Sequence, residues 1–315
     1  MATQYTKVLI IGAGPAGYTA AIYTARANLA PVLVQGMQPG GQLTITTDVE
    51  NYPGFAEPID GPQLMEAMAA QAKRVGATLV QDVIVDVDFD QRPIRCTGDS
   101  GTIYTADTVV IATGAQARWL GLEAEKHFQG YGVSGCATCD GFFYRGKKVA
   151  VVGGGNTAME EALYLASLAS HVTMIHRRDA FRGEKILHDR ITKNPKITVL
   201  WDSVVEDIKG VEQPSRGVTG LVARNIKTGA VTEIELDGVF IAIGHAPATA
   251  IFKGKLPMDE EGYLLTAPDS TATSVAGVFA AGDVKDKRYR QAVTAAGMGC
   301  MAALDVEKYL AALEN

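Results

Sequence analysis

The chain has 315 residues, more than one ordinary compact domain needs, so two domains with separate cores are expected. Its residues are 47% hydrophobic and 20% charged, and a net charge of −6 with no basic run excludes whole-chain attraction to nucleic acid. No apolar stretch approaches the roughly 18 residues of a membrane span, and four cysteines in a chain this long are not a disulfide scaffold.

The N-terminal segment MATQYTKVLI runs straight into a strand without a signal-peptide pattern, so a reducing, cytoplasmic location is expected. From there short β-branched runs alternate with Ala-rich helical stretches, the pattern of an α/β protein with parallel strands. Segment 7–17, KVLIIGAGPAG, joins an apolar strand to a G-x-G-x-x-G turn. A helix over about Pro15–Leu29 and a strand at Pro31–Val34 follow. Gly12 permits the tight turn, Gly14 lets backbone approach a pyrophosphate, and Gly17 allows close helix–strand packing. Phosphates sit well at such a helix N-terminus, where free N–H groups and the dipole favour negative charge. Glycines can serve packing alone in such turns, but strand context on both sides favours the nucleotide. Gln35 stands at the strand end where an acidic residue usually meets the ribose; a neutral amide still hydrogen-bonds a hydroxyl.

Next comes Cys136-Ala-Thr-Cys139-Asp140. Two intervening residues let both sulfurs meet in one turn, a spacing that often depresses one thiol's pKa. Zinc competes, but it needs four ligands. Cys96 and Cys300 are isolated, and none of the five histidines lies nearby at ligand spacing. Those two cysteines read as small buried hydrophobes. On spacing alone, Asp140 fits a proton shuttle and a turn or cap residue equally well. Phe142, Phe143 and Tyr144 form either an apolar rim for a partner or core filling.

Segment 148–158, KVAVVGGGNTA, repeats the first unit, with a helix over about Asn156–Ser167 and a strand at His171–Ile175. Gly12 to Gln35 and Gly153 to His176 are both offsets of 23 residues. This second strand ends in His176-Arg177-Arg178, with Arg182 beyond. Cations there suit the 2′-phosphate of NADP, which arginine's planar fork matches. A solvated basic patch is the alternative, though a helix N-terminus disfavours that charge. TVVIATGAQA (108–117) and GVFIAIGHAP (238–247) echo each other as strands ending in Gly turns. GVFAAGDV (277–284) reads as a buried strand before a helix over Ala292–Tyr309, and the N-terminal unit is its natural host sheet. The expected fold is therefore α/β, with two Rossmann-like, three-layer (ββα/βαβ) nucleotide-binding domains, the second inserted into the first. Boundaries fall near Ala115–Ala117 and His245–Thr249, giving 1–115 with 248–315, and 116–247. Two chain crossings make a plausible hinge.

GAGPAG, GGQLTITTDVENYPG (40–54), CATCDGFFYR (136–145), GGGNTA, HRRDAFR (176–182) and GVFAAGDVKDKRYRQA (277–292) together resemble, in order, the motifs of the low-molecular-weight bacterial thioredoxin reductases. The resemblance runs from about Lys7 to Leu310. It implies FAD in the composite N- and C-terminal domain, NADPH in the inserted domain, thioredoxin as partner, and a homodimer. FAD contacts are implied for Gly12, Gly14, Pro15, Gly17, Gly41, Gln42, Thr46, Asn51, Ala112, Asp283, Arg290, Gln291 and Ala292. NADPH contacts are implied for Gly155, Asn156, Thr157, His176, Arg177, Arg178 and Arg182. Cys136 and Cys139 match the redox pair, Cys139 facing the flavin and Cys136 attacking the partner, and Asp140 matches the acid–base residue. The chain departs from the pattern at Ala248, where many relatives have Asn, and at Tyr131, where a basic residue is common. The first bears on the hinge, the second on partner docking. A peroxide-linked flavoprotein reductase, a ferredoxin–NADP reductase and a zinc-stabilised nucleotide sensor are the competing functions.

Overall fold

The apolar run Val8–Ile11 is buried on both faces, which only a strand inside a covered sheet can achieve. In the computed structural model, which describes residues 2–46 and 48–314, that strand (Thr3–Ile11) is central to the first of two compact units. This unit comprises Met1–Gln116 and Ala246–Asn315; the other is Ala117–His245.

In the first unit, strands Thr78–Val80, Val32–Val34, Thr3–Ile11 and Ile103–Ile111 lie side by side in parallel. The long Ile103–Ile111 strand is shared along its free edge. Its first half, Ile103–Ala106, pairs antiparallel with Ile94–Gly98, and its last residues, Val109–Ile111, pair parallel with Val278–Ala280. The C-terminal segment thus rejoins the sheet built by the N-terminal one. Val8, Ile10, Leu33 and Val110 face helices Pro15–Arg26, Gly61–Arg74 and Ala292–Leu313; Leu9, Ile11, Val109 and Ile111 face a second core with Ile94, Phe252, Leu256 and Val284. The first helix ends at Arg26, short of Leu29, because Asn28 and Ala30 adopt positive φ as the chain turns toward the next strand. The last helix runs four residues past the expected Tyr309, to Leu313.

The second unit has a parallel sheet in the order Val133–Ser134, Gly238–Ile241, Lys148–Val152, His171–Ile175, Ile197–Leu200. Val149, Val151 and Phe240 face helix Asn156–Leu168, while Ala150, Val152, Val239 and Ile241 face an antiparallel sheet of Ser203–Val211, Gly217–Asn225 and Val231–Glu235. Helix, parallel sheet and antiparallel sheet form the three layers, so the α/β, Rossmann-like class expected from the repeat holds. The two connections, Ala115–Ala117 and His245–Pro247, pair with each other as a short ribbon. At the departure position, Ala248 is held through its backbone: its N–H donates to Gly114 O at 2.9 Å and its carbonyl accepts Thr113 Oγ1 at 2.8 Å.

Candidate active site and nucleotide cradles

Gly12 has a φ of +106°, and a Cβ there would lie 2.3 Å from the Ala112 carbonyl oxygen. Only glycine closes the first turn against the end of the neighbouring strand. Gly17 is equally constrained, its Cβ position being 1.8 Å from the Gly12 oxygen. Gly14 is different: no atom lies within 4 Å of its Cβ position, and it precedes helix Pro15–Arg26 without a side-chain cap. An open approach at an uncapped helix N-terminus suits a pyrophosphate.

The loop after the second strand crosses this turn. Gly40 N–H donates to Ala13 O at 3.0 Å, and the Gly41 Cβ position is 3.6 Å from Gly14 Cα. Gln42 lies in the same short 3-10 turn, Gly41–Ile45, and its carbonyl accepts Thr46 Oγ1 at 3.5 Å. Asn51 Nδ2 donates to Gln291 Oε1 at 3.4 Å; Gln291 forms a capping box with Thr294 ahead of Ala292. Helices Pro15–Arg26 and Ala292–Leu313 meet here. The Gly299 Cβ position is 2.1 Å from Ala16 O, and that of Gly282 is 2.9 Å from Ala16 Cβ and 3.5 Å from Ala295 Cβ. Asp283 therefore follows a glycine wedged between the first turns of both helices. Burial pushes its carboxyl up to about 7, Asp286 adding repulsion and Arg290 opposing both. Gln35 turns its amide to Tyr18 Oη at 3.3 Å. The uncapped helix, the open Gly14 and the half-buried carboxyl fit a dinucleotide bearing a polyhydroxyl chain.

The second unit repeats the first cradle atom for atom where it counts. Gly153 has φ +149° and a Cβ position 2.4 Å from Ala242 O, as Gly12 has from Ala112 O; Gly155, like Gly14, has open space and no side-chain cap on its helix. Beyond it lie the strand-end residues. Arg177, Arg178 and Arg182 are exposed, and Arg182 N–H donates to Gly154 O at 2.8 Å, fixing that loop beside the glycine turn. His176 is set otherwise. Its ring is 6% exposed, lies against Gly154, stacks on Phe181 and meets Trp201 edge-on, and its Nε2 is 3.0 Å from Ala180 O. Burial, with the three arginines, holds its pKa down against the bond to Ala180 O. Asn156 Oδ1 accepts Glu184 N–H at 2.7 Å, tying the arginine loop to the helix start, where Thr157 follows. The exposed arginines are thus the cations available to a 2′-phosphate.

Cys136 and Cys139 are bonded, with sulfurs 2.12 Å apart. Cys136 caps the short helix Ala137–Asp140, and Cys139 N–H donates to Cys136 Sγ at 3.2 Å. Asp140 closes the helix; burial raises its carboxyl pKa, against the pull of a hydrogen bond from Ser134. Ser134, which the sequence reading passed over, is 7% exposed, and its Oγ also accepts Cys136 N–H at 3.0 Å. A serine two residues before a CxxC was the available signal. Behind them Tyr144 meets Phe240 edge-on, while Phe142 is 52% exposed with Arg145 over its ring. At the other departure, the Arg216 guanidinium lies 4.6 Å from the Tyr131 ring centroid. Cys96 is fully buried, its thiol pushed up to about 12, and Cys300 is free. Among the described residues no group of three His, Cys, Asp or Glu could hold a metal, and no helix is long and apolar enough to cross a membrane.

Residues 6–299 match the family described as pyridine nucleotide-disulphide oxidoreductase. A thioredoxin reductase of Rickettsia felis is 59% identical over 305 residues, covering 97% of this chain and 98% of that protein. A Pseudomonas fluorescens protein named glucosaminate ammonia-lyase is 54% identical over 319 residues, covering 99% and 98%. The solved thioredoxin reductase of Giardia duodenalis is 42% identical, with a TM-score of 0.93 over 98% of this chain and 99% of that one.

Proposed function

Since the chain belongs to the pyridine nucleotide-disulphide oxidoreductases, and among them to the thioredoxin reductases, we propose that its Cys136–Cys139 pair relays two electrons from NADPH to the disulfide of a thioredoxin. The observation that carries this is a disulfide with an adjoining half-buried carboxyl in the same unit as a nucleotide turn edged by exposed arginines. The family uses FAD and NADPH. When bound, FAD supplies the two-electron exchange between nicotinamide and disulfide.

The residues divide the work. Gly12, Gly14, Pro15, Gly17, Gly41 and Ala112 shape the cradle that would take the FAD pyrophosphate. Gln42, Thr46, Asn51, Asp283, Arg290, Gln291 and Ala292 line the rest of that contact. Gly155, Asn156 and Thr157 would receive the NADPH pyrophosphate, and Arg177, Arg178 and Arg182 its 2′-phosphate, with His176 bracing the loop beneath. In the dithiol state, Cys136 thiolate attacks one sulfur of the partner's disulfide and forms a mixed disulfide, releasing the other sulfur as thiolate. Cys139 then attacks Cys136, restoring the internal bond and freeing the second partner thiolate. Asp140 delivers a proton to a leaving thiolate and later regains it. The net change is NADPH, a proton and a disulfide to NADP⁺ and a dithiol.

The dithiol and the arginine loop share one unit, while the FAD cradle belongs to the other. The nicotinamide that gives electrons and the disulfide that takes them both need near-contact with the same ring system. We infer that the 116–247 unit turns on its two connections, presenting dithiol and nicotinamide in alternation while the composite unit 1–115 and 248–315 keeps FAD. A cross-link that locks one orientation should stop either flavin reduction by NADPH or flavin reoxidation by the disulfide; undiminished rates of both in locked protein would remove the motion. A homodimer acting in the cytoplasm completes the proposal, and sedimentation checks the dimer.

The deciding experiment is NADPH-driven reduction of thioredoxin, with NADH as comparator and Cys136→Ser as control. The name of the Pseudomonas relative supplies the competing outcome. Ammonia release from glucosaminate that survives Cys136→Ser, without thioredoxin turnover, would replace a reductase with a lyase.

A further inference from the structure

The arginine loop carries its own opposing charge. Asp179 directly follows Arg178, and Glu184 comes soon after Arg182. A carboxylate beside an exposed guanidinium would pair with it and compete with a phosphate for the same N–H groups. Yet none of Arg177, Arg178 and Arg182 is in an ion pair among the described residues. Each nearby carboxylate is held elsewhere. Asn156 Nδ2 donates to Glu184 Oε1 at 3.5 Å. Asp179 Oδ2 accepts from Lys227 Nζ at 3.2 Å, and the same ammonium lies 3.0 Å from Asp202 Oδ1.

The chain around Lys227 aims it. It sits in the turn between strands Gly217–Asn225 and Val231–Glu235, where Asn225 Oδ1 accepts the N–H groups of Lys227 and Thr228, both at 3.0 Å. Asn225 Nδ2 in turn donates to Trp201 O at 3.2 Å. Asp202 joins this turn to the arginine loop through its backbone. Its carbonyl accepts Ile226 N–H at 2.7 Å, and its N–H donates to Arg178 O at 3.0 Å. The turn, Asp202 and Arg178 are therefore one hydrogen-bonded unit, with the Lys227 ammonium touching both carboxylates. The bond from Lys227 holds the Asp179 carboxyl below its usual range, and Asp202 with Asp179 holds the ammonium above its own.

Resting on the reductase reading above, with the arginines as ligands of the 2′-phosphate, we propose that Lys227 is a specificity-determining positioning residue. By holding Asp179 and Asp202 it leaves the arginines unpaired for the 2′-phosphate of NADPH. Without it, Asp179 turns to a neighbouring guanidinium, and the phosphate must displace a carboxylate before it can bind. The cost falls on nucleotides that carry a 2′-phosphate, because the open Gly155 turn takes the pyrophosphate without the loop. Ion pairs between exposed groups are individually weak, so the loss of two sets an effect of about three- to fivefold.

The test is a ligand-observed NMR titration of the oxidised holoenzyme with 2′,5′-ADP, and with 5′-AMP as the probe that lacks the 2′-phosphate. Lys227→Met keeps the stem and removes the charge. It should weaken 2′,5′-ADP about three- to fivefold and leave 5′-AMP unchanged, and Lys227→Arg should restore the affinity. Removing the competing charge should do the same. Adding Asp179→Asn to Lys227→Met should return 2′,5′-ADP to within about twofold of wild type. In turnover, Lys227→Met should raise KM for NADPH by the same factor, with KM for NADH unmoved. A lysine that merely supports the fold would weaken both probes alike and gain nothing from Asp179→Asn. Unmoved 2′,5′-ADP affinity in Lys227→Met, equal losses for the two probes, or failure of that rescue overturns the proposal. Should Lys227→Met not fold, Lys227→Gln poses the same question. Binding needs no thioredoxin, so a chain that shows this pattern yet never reduces thioredoxin would refute the reductase reading and keep the role of Lys227. Thioredoxin reduction by NADPH with an unmoved affinity would do the reverse.

Discussion

Replacing Asp283 by asparagine removes a carboxyl that burial has pushed up to about 7 from an ordinary 3.8. Asn keeps the size and one acceptor but cannot ionise. In the flavin-free chain the wild-type group binds its proton more tightly folded than unfolded. Its contribution to stability is therefore fully present below about pH 4 and is lost as pH rises toward 7. Three units at about 1.4 kcal/mol each set the loss at about 4 kcal/mol, and relaxation of the site brings it nearer 2–3. Burial dominates, Asp286 adds to it, and Arg290 offsets part. The assay is urea unfolding of flavin-free wild type and Asp283→Asn from about pH 3.5 to 8. The two curves should nearly meet at the acid end, and the variant should become the more stable by 2–3 kcal/mol at the alkaline end. Parallel profiles across that window would show that Asp283 is solvated, and the reasoning from burial would fail.

Gly155→Ala should leave the melting temperature alone, because nothing lies within 4 Å of the new methyl, yet raise KM for NADPH about tenfold by blocking phosphate approach. Gly153→Ala should instead cost about 3 kcal/mol of stability, since φ is +149° and Ala242 O is 2.4 Å away. Equal melting points for the two would contradict the cradle. Arg177→Gln with Arg178→Gln should lose about 1.5–3 kcal/mol of NADPH binding per charged contact while the KM for NADH stays put; a matching rise for NADH would place the arginines elsewhere. Cys139→Ser should leave FAD reducible by NADPH and abolish thioredoxin reduction, which rapid-mixing absorbance and a coupled thioredoxin assay separate.

Much of the framework was legible because glycine leaves an unambiguous trace. Gly12 and Gly153 were readable as turns since no other residue accepts their dihedrals, and the 23-residue offset exposed the repeat. The segment at 277–284 was readable as a strand in search of a sheet, and Val278–Ala280 does pair with Val109–Ile111. Other features depend on partners distant in sequence. The antiparallel layer at 203–235 went unread because it carries no chemistry-bearing motif to draw the eye. His176 stood among the phosphate ligands by position, yet strand alternation turns its ring inward against Gly154 and its successor Arg177 outward. Ser134 was invisible for the same reason: its place comes from a strand paired with Val239–Phe240 that sets its hydroxyl against the Cys136 backbone.

The two cradles differ in what the protein supplies after the turn. Both end a strand at a glycine pinned against a carbonyl, Ala112 in one case and Ala242 in the other, and both leave the next helix uncapped. The first then adds a second helix start and a half-buried carboxyl, Asp283, next to Gly282. Such a set holds a large ligand from several sides, as a resident cofactor requires. The second adds exposed arginines on a loop fastened by Asn156 and by Arg182 N–H. Charge on an open loop recognises a phosphate while leaving its bearer free to depart, as a cosubstrate consumed each turnover requires. On the function proposed above, one duplicated turn serves retention in one unit and exchange in the other, and the residues outside the glycines make the difference.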